Sequence, residues 1–386
     1  MSMRRAALKI LLLDLDDVLI QQVAYHRSLQ ECVERIGRWC GFEAVRLTDE
    51  DIAVFESLGV TSEWDSSAIC AALLLDRAWS IDPAVRLPDS PAAPDGHRHR
   101  LAPPDFQSFF REELDGGITG IEARTRVERR LLDGRERTPG QRQALQAVLR
   151  SAFDAEHSLT LQIIQELNLG AVEYEACYGR PASLPGPGYL STIDPPLITP
   201  TDVDRLAAWA SNPENRAVVF TNRPSRLPDG SGGMPEAEIG LARVGLSSLP
   251  FVAMGHLDWL GGERGLEPQA LIKPCAVHCL AALRLAAGDS LVEALQAAAR
   301  LGLDLGDDGR WRGLDAAQAI VLDDSSRGLQ SARAAQEALQ GIGVRMELDL
   351  RGVTTKGAKR RALESAGGAI FPDFASAAMD VLNGGT

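Results

Sequence analysis

The first strong chemical signal in the chain is a group of three acids that follows a short apolar run. Residues 11–17 read LLLDLDD, so Asp14, Asp16 and Asp17 come directly after leucines that suit a buried strand. Carboxylates this close raise one another's pKa and repel, so a fold groups them mainly where a cation or a reaction uses them. The spacing therefore predicts a cation-binding or catalytic site at the end of this strand.

Polar residues with complementary chemistry follow three other apolar runs. The segments are VVFTNRP at 218–224, ALIKPCAVH at 270–278 and AIVLDDSSRGLQSA at 319–332. In the first, Thr221 and Asn222 supply a hydroxyl and backbone N–H groups that suit a phosphate. The second places Lys273 before a proline that can open a helix, and the third ends in Asp323 and Asp324. Because α/β sheets place ligands at the carboxyl ends of their strands, we expect these residues to meet the first acid group.

The elements that must position these residues follow an α/β pattern. Residues 8–14, LKILLLD, are typical of a central parallel strand buried on both faces. Helical patterns fill the stretch from 25 to about 170, except for a proline-rich loop at 82–105, and strands alternate with helices after about residue 200. The stretch 283–318 is longer than one crossover needs, which predicts an added helix and turn. Together these patterns predict a parallel-sheet domain split by a helical insertion.

In this order the four motifs resemble those of the haloacid dehalogenase (HAD) superfamily. Its pattern is a strand ending DxDx[VT], a later strand ending in Thr or Ser, a Lys, and a strand ending in paired acids. The segment DDSSRGLQSARAA is similar to the subgroup that includes β-phosphoglucomutase and small-molecule phosphatases, in which a helical cap follows the first motif. The resemblance implies a Rossmann-like core with a parallel sheet, formed by 1–21 and 198–386, and an inserted, mainly α-helical cap domain at 22–197.

The resemblance also implies two catalytic carboxylates. Asp14 would attack phosphorus and form an aspartyl-phosphate, and Asp16 would be the general acid for the leaving oxygen and later the base for water. The residue types fit independently, because a carboxylate can be a covalent nucleophile and a residue two positions on points to the same side of an extended segment. Dehalogenases of the superfamily lack the second acid, so the resemblance indicates phosphoryl transfer. Asp17 stands where many members have Gly, a departure that we expect to cost little.

A magnesium ion and a phosphate-binding group complete the implied site. Mg²⁺ prefers a few carboxylates together with waters and phosphate oxygens. The implied metal ligands are Asp14, the backbone carbonyl of Asp16, Asp323 and Asp324. The implied phosphate-binding residues are Thr221, the Asn222 backbone N–H and Lys273, of which the lysine also offsets the charge of the carboxylates in catalysis.

Each motif also has a purely structural interpretation. Paired acids before a helix can be N-caps, a threonine after a strand can be an ordinary turn residue, and a single lysine is commonly solvated. Cys275, His278 and Cys279 lie one helical turn apart, as zinc ligands often do, although packing of the apolar helix AVHCLAALRLA is the favoured interpretation.

Composition limits the class of partner. With 40 basic and 53 acidic residues among 386, the formal charge is −13, which argues against general binding to nucleic acid or to anionic membranes. An anionic substrate therefore needs a local basic pocket. The six cysteines form no CxxC pair, and the apolar run near the start is broken by acids, so a reduced, cytoplasmic protein is the expectation.

The function that these observations favour is a Mg²⁺-dependent phosphatase acting on a small phosphorylated metabolite. A phosphomutase on a sugar phosphate would share every core residue and differ by returning the phosphoryl group to the sugar. A non-catalytic phosphate-binding protein on the same scaffold is the alternative from a different class. The sequence leaves these alternatives open.

Overall fold

The computed structural model describes residues 7–95, 102–114 and 118–383. The chain divides into two compact units. The first, here called the core unit, comprises Met1–Gln22 and Asp194–Thr386, and the second, the helical unit, comprises Val23–Ile193. The predicted insertion spans 22–197. The helical unit begins one residue later than this prediction and ends four residues earlier.

The core unit is built on a six-stranded parallel sheet, which confirms the predicted α/β, Rossmann-like class. The strands are β1 (Lys9–Leu13), β2 (Asn215–Phe220), β3 (Phe251–Val252), β4 (Gln318–Asp323), β5 (Glu347–Val353) and β6 (Ala369–Phe371). Their order across the sheet is β3-β2-β1-β4-β5-β6, so β1 lies between β2 and β4. Leu13, at the end of β1, is in register with Val219 and Leu322. The residues that follow these three strands therefore meet at one edge of the sheet.

The described residues of the helical unit form eight helices and no strand. These are α1 (Ala24–Trp39), α2 (Asp49–Ser57), α3 (Glu63–Ala78), α4 (Phe106–Glu113), α5 (Gly120–Asp133), α6 (Pro139–Arg150), α7 (Leu159–Tyr178) and α8 (Tyr189–Thr192). They share one apolar core, to which α1, α3 and α7 contribute fully buried residues such as Ile36, Leu74 and Ile164. The predicted loop at 82–105 is free of helix and strand where it is described, and its residues 96–101 lie outside the described ranges.

The core unit contributes the remaining eight helices in the described ranges. These are α9 (Pro200–Ala210), α10 (Glu236–Arg243), α11 (Met254–Arg264), α12 (Ala276–Ala286), α13 (Leu291–Gly302), α14 (Ser326–Gly341), α15 (Gly357–Ser365) and α16 (Phe374–Asn383). The helix α13 and a 3-10 turn at Arg310–Leu314 are the additions predicted within 283–318. None of the helices in the described part of the chain is long and apolar enough to cross a membrane.

One helix boundary differs from the sequence prediction. The sequence predicts that Pro274 opens a helix, but α12 begins two residues later with Cys275 as its N-cap. Pro274 lies instead in a tight turn that is closed by a hydrogen bond of 2.9 Å from the Cys275 N–H to the Ile272 carbonyl. The turn, and not the helix, determines the path of the chain after Lys273.

Strand β1 is apolar throughout because both of its faces are covered. Ile10 and Leu12 pack with α12 and α14 on one face, whereas Leu11 and Leu13 pack with α9 and α16 on the other. All four residues are 0% exposed. Alternate side chains of a strand point to opposite faces, so a strand between two helical layers must be apolar at every position. This explains why the run before the first acids is unbroken.

Candidate functional site

Three of the predicted acids meet at the carboxyl edge of the sheet. The backbone N–H of Asp14, the residue after β1, donates to the carbonyl of Leu322 in β4 at 2.9 Å, which places Asp14 beside the end of β4. Asp323 is the last residue of β4 and Asp324 follows it. One carboxylate oxygen from each of the three residues lies within 4.8 Å of the others, and all three residues are buried. This spacing suits a shared cation.

Lys273 reaches this group from a different part of the chain. Its Nζ lies 2.9 Å from Oδ1 of Asp14 and 2.7 Å from Oδ2 of Asp323. The side chain is 2% exposed, and its ammonium lies 4.0 Å from the centroid of the Phe220 ring. The lysine therefore bridges two carboxylates inside the protein and is not the solvated surface residue of the alternative interpretation.

The charges of this group are strongly coupled. Burial raises the pKa of Asp14 well above its usual value, and although Lys273 opposes this shift, the nearby carboxylates of Asp323 and Asp324 reinforce it. Burial also opposes the charge of Lys273, but Asp14 and Asp323 outweigh burial and raise the pKa of the lysine. The pKa values of Asp14 and Lys273 can both be raised because one ammonium faces two buried carboxylates. The two carboxylates keep the lysine charged, whereas one ammonium does not offset the repulsion among the acids.

Asp323 is held by the start of the helix that follows it. Its Oδ1 accepts hydrogen bonds from the backbone N–H and the hydroxyl of Ser325, at 2.9 and 2.7 Å. Ser325, and neither aspartate, is the N-cap of α14, because its hydroxyl accepts from the N–H of Gly328. A Cβ on Gly328 would overlap the Asp323 carboxylate, so this glycine leaves the space that the carboxylate occupies. The N-cap interpretation of the paired acids is therefore wrong.

The side chain of Asp16 points to an arginine that the sequence interpretation missed. Oδ1 of Asp16 accepts from Nε of Arg223 at 2.7 Å and lies 2.6 Å from its Nη2. Arg223 is 1% exposed at its side chain and also pairs with the fully buried Asp194, at 3.2 Å. The position of Arg223 in the sequence could have indicated its role in the site, because it directly follows the predicted phosphate-binding Asn222. Asp16 is thus adjacent to the acid group along the chain but is held by a different cation.

Asp17 belongs to a second basic contact. Its Oδ2 lies 3.0 Å from Nζ of Lys359 and 3.3 Å from Nζ of Lys356, and the same Lys359 ammonium contacts Oδ2 of Asp324. Burial opposes the charge of Asp17, but the two lysines outweigh burial and lower its pKa. Its φ of +52° lies in the left-handed region that favours glycine, which costs a non-glycine residue about 1–2 kcal/mol. The expectation that this residue is a minor departure missed its role as a partner of Lys359.

The predicted phosphate-binding residues lie at the end of β2. Thr221 is fully buried, and its backbone N–H donates to the carbonyl of Val252 at 3.0 Å. The Thr221 hydroxyl accepts from the backbone N–H of Arg223 at 3.2 Å. The side-chain oxygen of Asn222 accepts from the backbone N–H of Lys273 at 3.3 Å. Asn222 therefore ties the lysine-bearing turn to β2, and both residues follow the strand that neighbours β1.

The donor set tests whether a divalent cation fits. The ion-pair network of the site consists of three separate groups, centred on Arg223, Lys273 and Lys359. Asp14, Asp323 and Asp324 each offer one carboxylate oxygen within 4.8 Å of the others. Carboxylate oxygens are the ligands that Mg²⁺ prefers. The residues present therefore fit the implied ion.

The cysteine and histidine pattern on α12 has a structural role. His278 is fully buried, its Nε2 donates to the carbonyl of Val252 at 3.2 Å, and its ring packs edge-on against Phe220. Burial lowers the pKa of His278 to about 3 and raises that of Cys279 to about 12. Cys275 and these two residues do not form a metal-ligating group within the described ranges. The packing interpretation therefore accounts for this pattern.

Cavity size does not identify the site. A cavity of about 630 Å³ lies within the helical unit, where Trp79, Arg135 and Arg142 are among its lining residues. A smaller one of about 110 Å³ in the core unit is lined by residues that include Arg351 and Asp380. The residues that line these two cavities include none of the acids at the edge of the sheet. The candidate site is therefore defined by its charges and ligand geometry.

Comparison with known proteins supports the fold alone. No family model matches the chain, and no curated protein matches it. A solved structure that is similar to it is the X-ray structure of a target of the Northeast Structural Genomics Consortium. The two share 16% sequence identity, with a TM-score of 0.63 over 97% of this chain and 98% of that one.

Proposed function

We propose that the protein is a Mg²⁺-dependent phosphatase of the HAD type, which hydrolyses a small phosphorylated metabolite through an aspartyl-phosphate on Asp14. The observation that carries the proposal is the meeting of Asp14, Lys273 and the paired acids Asp323 and Asp324 at one edge of a parallel sheet. In the chain Lys273 lies 259 positions after Asp14 and 50 positions before Asp323, and the order of these residues is that of the motifs that resemble the superfamily.

The chemistry can be written with the residues of this chain. In the first step an oxygen of Asp14 attacks phosphorus, the bond from phosphorus to the leaving oxygen breaks, and Asp16 gives its proton to that oxygen. In the second step water attacks the phosphorus, Asp16 takes a proton from the water, and the bond to Asp14 breaks. Inorganic phosphate is released and both carboxyl groups return to their starting state.

The surrounding residues bind the phosphoryl group and offset its charge. Lys273 offsets the negative charge that Asp14 and a phosphate bring together, and Thr221 with the backbone of Asn222 offers donors to phosphoryl oxygens. Asp14, Asp323, Asp324 and the backbone carbonyl of Asp16 would hold the ion. A divalent cation bound there would supply positive charge that stabilises the transferring phosphoryl group.

Arg223 adds a requirement to the role of Asp16. The arginine binds the ionised carboxylate, which is the form that takes a proton from water in the second step. For the first step, Asp16 must carry a proton and leave this ion pair. Arg223 is therefore a positioning residue that holds Asp16 between the two proton transfers.

The test is hydrolysis of an aryl phosphate and of a broad panel of phosphate esters, with and without Mg²⁺. We expect turnover that depends on the metal and that Asp14→Asn lowers by at least about 1,000-fold, because the nucleophile is lost. Asp304→Asn is the matched control, since Asp304 is 49% exposed and pairs with Arg264 outside this network. It should leave the rate unchanged.

The outcomes separate the alternatives. Release of inorganic phosphate supports the phosphatase, whereas isomerisation of a sugar phosphate without net release would identify a phosphomutase. If the wild-type protein shows no turnover over the whole panel with Mg²⁺, the phosphatase proposal fails and binding of phosphate esters without catalysis becomes the better description.

A further inference from the structure

Lys359 makes a contact that the proposed chemistry does not use. It lies in the first turn of α15, a helix that follows β5, and its ammonium lies between Oδ2 of Asp324 and Oδ2 of Asp17. Asp324 is also one of the three acids whose oxygens share the cation-binding edge of the sheet. A positive side chain therefore already contacts one of the three carboxylates that a metal ion would need.

The two lysines of the site differ in how firmly they are held. Lys273 is 2% exposed and bridges two carboxylates of the acid group itself. Lys359 is 38% exposed, so its flexible side chain has room to move toward solvent. Asp17 offers it a second carboxylate at 3.0 Å, so the ammonium can leave Asp324 and remain paired. Lys273 is thus a permanent part of the group, and Lys359 is a cation that can be displaced.

Resting on the proposed function, we propose that Lys359 is an internal counter-ion that competes with the divalent cation for Asp324, and that Asp17 receives its ammonium when the ion binds. A carboxylate oxygen that accepts from an ammonium is a weaker ligand for a metal, and a second positive charge nearby repels the ion. Without metal, the same contact reduces repulsion among the buried acids. The protein would then bind Mg²⁺ only at concentrations that displace the lysine.

The experiment measures Mg²⁺ binding by calorimetry, and Mn²⁺ binding by electron paramagnetic resonance, with no substrate present. Lys359→Met should bind either ion about tenfold more tightly than the wild-type protein, which corresponds to about 1.4 kcal/mol. Lys359→Arg keeps the charge and should remain close to the wild type. Lys356→Met is the matched control, because Lys356 is 67% exposed and contacts Asp17 at 3.3 Å but has no described contact with Asp324. It should change the affinity by less than about twofold.

Asp17→Asn tests the second half of the proposal. With Asp17 neutral, Lys359 keeps only Asp324 as a strong partner, so the affinity for Mg²⁺ should fall. Asp17→Asn should lower the Mg²⁺ affinity more in the wild-type background than in the Lys359→Met background, because the methionine variant has no ammonium for Asp17 to bind. A double-mutant cycle measures this difference as the coupling between the two residues. Equal falls in both backgrounds would contradict the role of Asp17.

The measurements distinguish a failure of the competition proposal from a failure of the proposed phosphatase activity. If Lys359→Met binds Mg²⁺ no more tightly than the wild type, or if neither binds it at millimolar concentration, the competition proposal is overturned. If Lys359→Met binds the ion tightly but no phosphate ester is hydrolysed by either protein, the competition stands and the proposed phosphatase activity is what fails. Thermal unfolding of each variant confirms that the compared proteins are folded.

Discussion

Replacing Lys273 with methionine tests whether one buried ammonium holds the acid group together. Methionine keeps the apolar stem beside Phe220 but removes the charge that lies 2.9 Å from Asp14 and 2.7 Å from Asp323. Breaking a buried ion pair by removing one partner costs about 3–5 kcal/mol, because the other charge stays buried without compensation. We expect Lys273→Met to lower the free energy of unfolding of the core unit by about this amount at pH 7.5.

The size of this loss should depend on pH. Asp14 already has a raised pKa through burial, and without the attraction of Lys273 its pKa rises further. A carboxyl group with a pKa above its unfolded value holds a proton in the folded state that the unfolded state releases, so it lowers stability as pH rises. The stability of Lys273→Met should therefore fall more steeply than that of the wild type between pH 5 and pH 8, and the two proteins should be closest at pH 5.

The assay is urea unfolding followed by circular dichroism at several pH values, with Lys356→Met as control. Lys356 is exposed, so its replacement should change stability by less than about 0.5 kcal/mol. The double variant Asp14→Asn/Lys273→Met should be more stable than Lys273→Met, because one of the two orphaned charges is gone. A loss below about 1 kcal/mol at pH 7.5, or a double variant less stable than the single one, would refute the reasoning.

Two further predictions concern the paired acids and their support. Burial raises the pKa of Asp324 to about 7, so in EDTA the contribution of Asp324 to stability should fall as pH rises from 3.8 to about 7, by up to about 4 kcal/mol, and Asp324→Asn should lack this pH-dependent loss in urea titrations. An equal change of the free energy of unfolding with pH in the wild type and in Asp324→Asn would contradict this prediction. Gly328→Ala should lower the free energy of unfolding by about 1–3 kcal/mol, because the new methyl group overlaps the carboxylate of Asp323. Gly341→Ala, near the end of the same helix and with open space around its Cβ, should be neutral or stabilising, and an equal loss in both alanine variants would show that the overlap is not the cause.

The sequence was informative where the structure depends on local patterns. Strands between two helical layers must be apolar at every position, so LKILLLD and AIVLDD are recognisable as buried strands, and the acids that end them are placed at the carboxyl edge of the sheet. This is why the α/β class, the strands that carry Asp14 and Asp323, and the added helix α13 could be predicted. The turn at Pro274 could not, because the same residue type suits both the start of a helix and a turn.

The partners of the acids were decided by the tertiary structure. Arg223 and Asp16 are 207 positions apart, and Lys359 and Asp17 are 342 positions apart. A lysine or arginine in a helix or a loop has the same local sequence pattern whether it is solvated or paired, because its partner is brought to it only by the order of the strands. The chain thus determines by itself which residues lie at the ends of its strands, whereas the folded sheet decides which charges meet there, since electrostatic interactions depend on distance in space and not on position in the sequence.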